Sequence, residues 1–365
     1  DPRSVMKLFT CQSCGQHLYF ENVSCTRCGH TLGFLQDRLE IAAIEADAPG
    51  YWRALGQGAE SQRYRLCANS TEFGICNWLI PDHDPDPLCQ SCRLNRTIPD
   101  LTVPGNQILW QRLEAEKRRL VYSLIRLGLP VYPKTQDPAG LAFDFLADTQ
   151  PSFNETGRVM TGHADGLITI NIAEADPATR EQMRREMAEP YRTILGHFRH
   201  ESGHYYWDRL VRNSQWQDEF HRLFGDETLD YAQALERHHA QGALAGWQTY
   251  YVSAYASSHP WEDWAETWAH YLHIVDTLET AQYFGVQVRA RVGQPGQLAG
   301  GAQFDPYTQP SFDPIVEHWL PLAFALNSLN RSMGHEDAYP FVLAPWAIEK
   351  LRLIHRIVQA EQPVR

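Results

Sequence analysis

Beyond residue 92 the chain contains no cysteine. Any disulfide framework or sulfur-held metal is therefore confined to its first quarter. Positive charge is also short: 32 Lys and Arg face 44 Asp and Glu, a formal net charge of -12. Such a balance makes a polyanion a poor partner. The first 100 residues repeat it with nine basic against twelve acidic residues, which removes the electrostatic footprint that nucleic-acid binding needs. No run of 18 apolar residues occurs, so no membrane-spanning helix and no membrane partner are expected. The N-terminal residues lack the basic-then-apolar pattern of a secretory signal. What is present is ample core material: 43% hydrophobic and 12% aromatic residues over 365 positions, enough for two or three domains.

Six of the eight cysteines stand in C-x2-C pairs, Cys11/Cys14, Cys25/Cys28 and Cys89/Cys92, and Cys67 and Cys76 complete a second set of four. Two residues between sulfurs let both thiolates of a tight knuckle face one ion, so zinc is favoured over disulfides. Reduced thiolates in turn predict a cytoplasmic protein. Gly15 and Gly29 follow the first two pairs, supplying the positive φ a knuckle turn needs. His17, His30 and His83 are spare donors, but two sets of four sulfurs need no help. Residues 8–35 thus read as a zinc ribbon with a short strand at 17–20. Residues 37–58, with Leu39, Ile41 and Ile44 among acids, read as a helix or edge segment.

From Gln107 to Arg126, leucines at 109, 113, 120, 124 and 127 predict a helix, ended by Pro130 and Pro133. Strands are predicted at 141–146 and 166–172, the second alternating Ile168, Ile170 and Ile172 against Leu167, Thr169 and Asn171. A long helical stretch follows from Pro177 to Arg212, broken or kinked at Pro190. Residues 214–256 read as mostly helical, another helix opens at His259-Pro260 and runs to about Leu278, and Gly293 to Gly301 reads as a flexible linker. From Phe312 to Val358 the pattern is helical apart from a turn at Met333–Pro340.

Within the long helical stretch lies His200-Glu201-Ser-Gly-His204, an H-E-x-x-H motif. On a helix its histidines fall one turn apart on one face, so both imidazoles can reach one zinc ion, with Glu201 placed as general base. A catalytic zinc needs a third protein ligand. The position six beyond His204 is Leu210, which excludes a metzincin-type histidine. Asp208 would crowd the same side of the ion. The remaining candidate is Trp261-Glu262-Asp-Trp-Ala-Glu266-Thr-Trp-Ala-His270. Its tryptophans make one helical face, while Glu262, Ala265, Glu266, Ala269 and His273 make another. Small alanines beside two inward carboxylates allow close approach to a neighbour, and burying carboxylates without a partner costs several kcal/mol. The pattern assigns Glu262 as ligand and Glu266 as acceptor from the far nitrogen of a liganding histidine.

HESGH, the later E-x-x-A-E and the N-terminal ribbon together resemble the zinc-binding metallopeptidases of bacteria, in the gluzincin group. The resemblance covers nearly the whole chain and is most specific over residues 191–207 and 259–273. It implies His200, His204 and Glu262 as ligands and Glu201 as base, and the choice of Glu262 over Glu266 leans on it. Gluzincins with E-x-x-A-E also carry a tyrosine seven residues before the ligand glutamate, which here is Tyr255, an implied donor to the oxyanion.

The expectation is an α+β, mainly helical protein: a double zinc-ribbon module over residues 1–103 and a zincin-like domain with a short sheet over 104–365. It would hold one catalytic and two structural zinc ions and hydrolyse peptide or protein substrates. Ile168 and Ile170 mark a strand to which substrate would add, and Arg331, in the polar cluster with Asn327 and Asn330, is a candidate for the cleft. The ribbons would recruit a protein partner. The rival readings are a zinc-ribbon protein- or nucleic-acid-binding scaffold with an inactive site, or hydrolysis of a non-peptide amide.

Overall fold

The structure is a computed structural model and describes residues 8–56, 62–148, 161–186, 193–291, 298–301 and 303–362. Pro190 and most of the Gly293–Gly301 stretch lie outside the described residues. Those described form a mixed α and β protein with nine α-helices and several sheets. They fall into two compact units that alternate along the chain: 1–122, 131–160 and 169–176 in the first, and 123–130, 161–168 and 177–365 in the second. No helix among them is long and apolar enough to cross a membrane.

The first unit opens with β1 (Phe9–Thr10) and β2 (His17–Leu18), an antiparallel pair carrying the first knuckle. Five strands then close a barrel: β3 (Thr31–Leu35), β4 (Glu40–Ala48), β5 (Tyr51–Ala54), β6 (Arg63–Leu66) and, after the one-turn helix α1 (Ala68–Thr71), β7 (Trp78–Pro81). Successive strands pair antiparallel, and β7 closes the ring by pairing parallel with β3. The helix or edge segment expected over 37–58 is instead β4 and β5. Ile41, Ala42, Ala43 and Ile44 are all buried, so both faces of β4 are covered and the period-2 signature is lost. Leu35, Ala42, Ile44, Ala54, Tyr64 and Leu79 form a common core. Five strands enclose little room, and small residues fit it. A side chain at Gly33 would meet Leu79 at 2.6 Å, so glycine is required there. Phe34, the neighbour of Leu35, packs instead on Phe20, Trp78 and Tyr122, with ring centroids 4.6 to 6.2 Å away. β8 (Asn95–Thr97) pairs parallel with β9 (Ala142–Leu146), and α2 (Asn106–Arg126) lies between them in sequence.

β10 (Gly162–Ala164) and β11 (Leu167–Asn171) are joined by Asp165-Gly166, both at positive φ (47° and 74°), which suits a two-residue hairpin turn. The sheet order is β10-β11-β9-β8. β11 therefore has neighbours on both edges, and Ile168 and Ile170 are buried. It offers no edge for an added strand, contrary to expectation; among the described residues the outer strands of this sheet are β10 and β8.

The second unit is helical: α3 (Pro177–Glu186), α4 (Ile194–Leu210), α5 (Gln217–Phe224), α6 (Tyr231–Gln241), α7 (Pro260–Tyr283), α8 (Asp313–Ser332) and α9 (Pro345–Glu361). A small pair, β12 (Val288–Arg289) and β13 (Ala299–Gly300), takes up the described end of the glycine-rich stretch. α7 packs against α4, α8 and α9 and is buried nearly all round, from Trp264 through Tyr271 to Leu278. The polar cluster in the last turns of α8 locks the turn that follows the helix. Asn327 exchanges two hydrogen bonds with the backbone of Tyr339, Asn330 donates to the carbonyl of Glu336, and Arg331 pairs with Asp337 at 2.6 Å. The exposed guanidinium is consumed by its own turn, so its expected place in a cleft is not seen.

Candidate metal centres

Three groups of side chains bring potential ligand atoms within 4.8 Å of one another: Cys11, Cys14, Cys25, Cys28; Cys67, Cys76, Cys89, Cys92; and His200, His204, Glu262. In the first, the N–H groups of Gly15 and Gly29 donate to the carbonyls of Cys11 and Cys25 (2.8 and 2.9 Å), each glycine at positive φ. Sulfur separations are 3.6 Å for Cys11–Cys28 and Cys14–Cys25, and 3.7 Å for Cys76–Cys89. A zinc–sulfur bond of about 2.3 Å gives a tetrahedron with edges of about 3.8 Å. A disulfide would instead bring sulfurs to about 2.0 Å, so both sets fit zinc.

The two sets differ in their surroundings. Cys28 is exposed, and the backbone N–H of His30 leads the contacts that lower its pKa to about 6. All four sulfurs of the second set are buried, and burial pushes the Cys89 thiol well up. Beside them lies Arg118, 5% exposed, donating to the carbonyl of Ile75 at 2.7 Å. Burial opposes its charge, but Cys76, Glu114, Cys92 and Cys89 outweigh it and raise its pKa. A buried guanidinium is a fitting counter-ion for a four-thiolate site.

The third group is built where α4 crosses α7. Thr193 caps α4, accepting from the N–H of Gly196 at 2.9 Å. His259 caps α7: its Nδ1 accepts from Trp261 N–H and its Nε2 donates to the carbonyl of Leu229. A side chain at Gly203 would meet Cα of Ala265 at 2.9 Å, so the helices touch backbone to backbone there. The indoles of Trp264 and Trp268 donate to the carbonyl of Gly203 (2.9 Å) and to Oγ of Ser202 (3.2 Å). The two unspecified positions of H-E-x-x-H are thus the helix crossing. One residue before the motif, the buried Arg199 pairs with Asp276 of α7, which also accepts from Ser123 and Tyr307.

Nε2 of His200 lies 3.0 Å from Oε2 of Glu262, and Nε2 of His204 lies 3.4 Å from Oε1. Ligands about 2.1 Å from a tetrahedral ion would be about 3.4 Å apart, so this donor set also fits zinc. Glu266 takes the other side of His200, its Oε1 2.7 Å from Nδ1, while its Oε2 accepts from Ser253 at 2.6 Å. Burial disfavours charge on His200, but Glu262 and Glu266 prevail and raise its pKa well above the usual imidazole value. Burial likewise opposes ionisation of Glu262, yet the two histidines hold its pKa well below the carboxylate range.

Glu201 is buried on α4, and its charge adds to the effects that keep Tyr231 and Tyr255 protonated, burial being the first in both. The Tyr255 ring stands 6.0 Å from that of His200. Asp208 instead pairs with Arg212 at 2.7 Å. Residues without a sequence signal also surround the site: Tyr231, Ser253, and His163 of β10, whose ring stacks on His204 at 6.1 Å. They come from three separate segments, and no local pattern joins them.

Residues 106–357 match the family described as "Putative zinc-binding metallo-peptidase", and residues 8–103 match a zinc-ribbon domain. Uncharacterized proteins of Mycobacterium bovis and of two strains of Mycobacterium tuberculosis are 44% identical over 362 residues, spanning 98% of this chain and 97% of their own length. No solved structure matches the chain.

Proposed function

The chain belongs to this family of zinc-binding metallopeptidases, and from that premise we propose that it is a peptidase of gluzincin type, with a zincin-like catalytic domain over residues 104–365. The observation that carries the reading is the convergence of His200, His204 and Glu262 within 4.8 Å, with Glu201 one residue from the first ligand on the same helix. Three protein donors leave a fourth position for solvent or substrate, which separates a catalytic site from a closed structural one.

Bound zinc would polarise the scissile carbonyl and lower the pKa of water towards neutrality. Glu201 takes the proton of the attacking water and passes it to the leaving amine. Glu266 holds the His200 ring by its Nδ1 and fixes the tautomer that presents Nε2. Tyr255, whose ionisation is disfavoured by burial, donates to the developing oxyanion. An extended peptide adds along β10, which packs against α4, through backbone hydrogen bonds. The thiol state of all eight cysteines supports a cytoplasmic setting, and the four-cysteine centres bring the zinc total to three and serve a protein partner.

Glu201→Gln tests the assignment. The variant is expected to keep three zinc ions per chain and to lose cleavage of a peptide library by at least about a hundredfold. Unchanged turnover rules out Glu201 as the base.

A further inference from the structure

The hydroxyl of Tyr231, the first residue of α6, donates to Oε1 of Glu262 at 2.6 Å. The two ends of this tyrosine occupy different environments. The residue is 38% exposed, whereas Glu262 is 1% exposed. A ring at the surface whose hydroxyl reaches a buried carboxylate sits at the mouth of a site. Its ring stands edge-on to His259 at 5.2 Å and to Trp261 at 5.9 Å, and Trp261 in turn lies 4.5 Å from His204. Further along α6, at helical spacing, Ala234 is buried and His238 stands edge-on to Tyr255 at 5.8 Å. Most other positions of this helix face solvent. α6 is therefore a thin wall of the site, and the phenol is its polar contact with the donor set.

The hydrogen bond divides the work of the carboxylate. Oε1 accepts the phenol's hydrogen bond and lies 3.4 Å from Nε2 of His204. Oε2 faces Nε2 of His200 at 3.0 Å. A carboxylate held by one donor keeps one rotamer and offers one basic oxygen, which is how outer contacts tune a metal ligand. Ser253 and Glu266 do the same for His200 from the opposite side.

We propose that Tyr231 is a positioning residue for the third zinc ion: its hydroxyl fixes Glu262 so that Oε2 is the ligand oxygen, and its exposed ring forms the rim past which substrate enters. This rests on the reading of Glu262 as a ligand. Tyr231→Phe keeps the ring and removes only the donor. Zinc affinity of the third site is measured by chelator competition on the full chain, with the two sulfur-held ions and far-UV circular dichroism as the check on folding. The expected result is an affinity at least about tenfold weaker. In a Glu262→Ala background, where the phenol has no carboxylate to hold, the same substitution is expected to change affinity less than about twofold, which a merely structural role would not produce. Wild-type affinity in Tyr231→Phe, or an equal loss in both backgrounds, overturns the proposal while the peptidase reading stands. A wild-type chain that takes up only two zinc ions overturns both.

Discussion

In the first unit, eight thiols are carried on short strands and knuckles between residues 11 and 92, and the longest strand there has nine residues. In the second, the donors stand on two helices of 17 and 24 residues that touch through Gly203 and Ala265. The knuckles themselves are short loops beside the barrel core, so ions bound by them contribute to folding directly. The helices are held by indole hydrogen bonds, stacked aromatics and a buried ion pair, and this packing positions the imidazoles and the carboxylate. The first set of donors is carried by knuckles and short strands, the second by packed helices.

Zinc removal should break this contrast most severely. Each sulfur-held ion contributes on the order of 10 kcal/mol of apparent binding free energy near neutral pH. Chelation is expected to abolish protection from hydrogen exchange in the barrel strands while α4 and α7 stay protected. Cys89→Ser, in the buried set, should unfold the first unit outright. Cys28→Ser, in the exposed set, should leave a folded chain with one zinc ion fewer, as read by mass spectrometry under native conditions. Equal behaviour of the two variants would erase the distinction between the sites.

Asp276→Ala is the matching attack on the second unit. It strands the buried Arg199 and two hydroxyl donors, and the expected loss is about 3 to 5 kcal/mol. Urea unfolding followed by tryptophan fluorescence would show it, with the sulfur-held zinc ions retained.

A smaller effect is expected from pH. Burial lowers the pKa of His270 from 6.5 to about 4 in the folded chain, with Arg199 adding to it against Glu266. The folded state thus binds this proton less readily than the unfolded chain. Its contribution is present in full above pH 6.5 and is lost as pH falls from 6.5 towards 4. The size is about 3 kcal/mol. His270→Gln should flatten the stability profile over that window relative to wild type; parallel profiles would mean the histidine titrates normally.

Much of the site was legible because its signals are local. C-x2-C pairs, the glycines behind them, H-E-x-x-H and the spacing from Glu262 to Glu266 each lie within one turn or one knuckle, where covalent geometry decides which atoms can meet. α2 and β11 were readable from their periodicity, and so was the start of α7 at Pro260. The barrel was not, because β4 is covered on both faces and its alanines carry no alternation. Nor was the closure of β3 onto β7, a parallel pairing across more than forty residues. Arg331 misled because a polar cluster beside apolar helices has the same composition whether it lines a cleft or locks a turn.

The sequence by itself determined the donor chemistry: eight sulfurs in two sets, two imidazoles one turn apart, and a carboxylate pair on a tryptophan-flanked helix. Only the tertiary structure decided that the tryptophans donate to the motif helix and that Tyr231 reaches Glu262 from 31 residues away. The reason is physical. Local spacing fixes which groups can share a face, but the angle and closeness of two crossing helices depend on every residue packed around them.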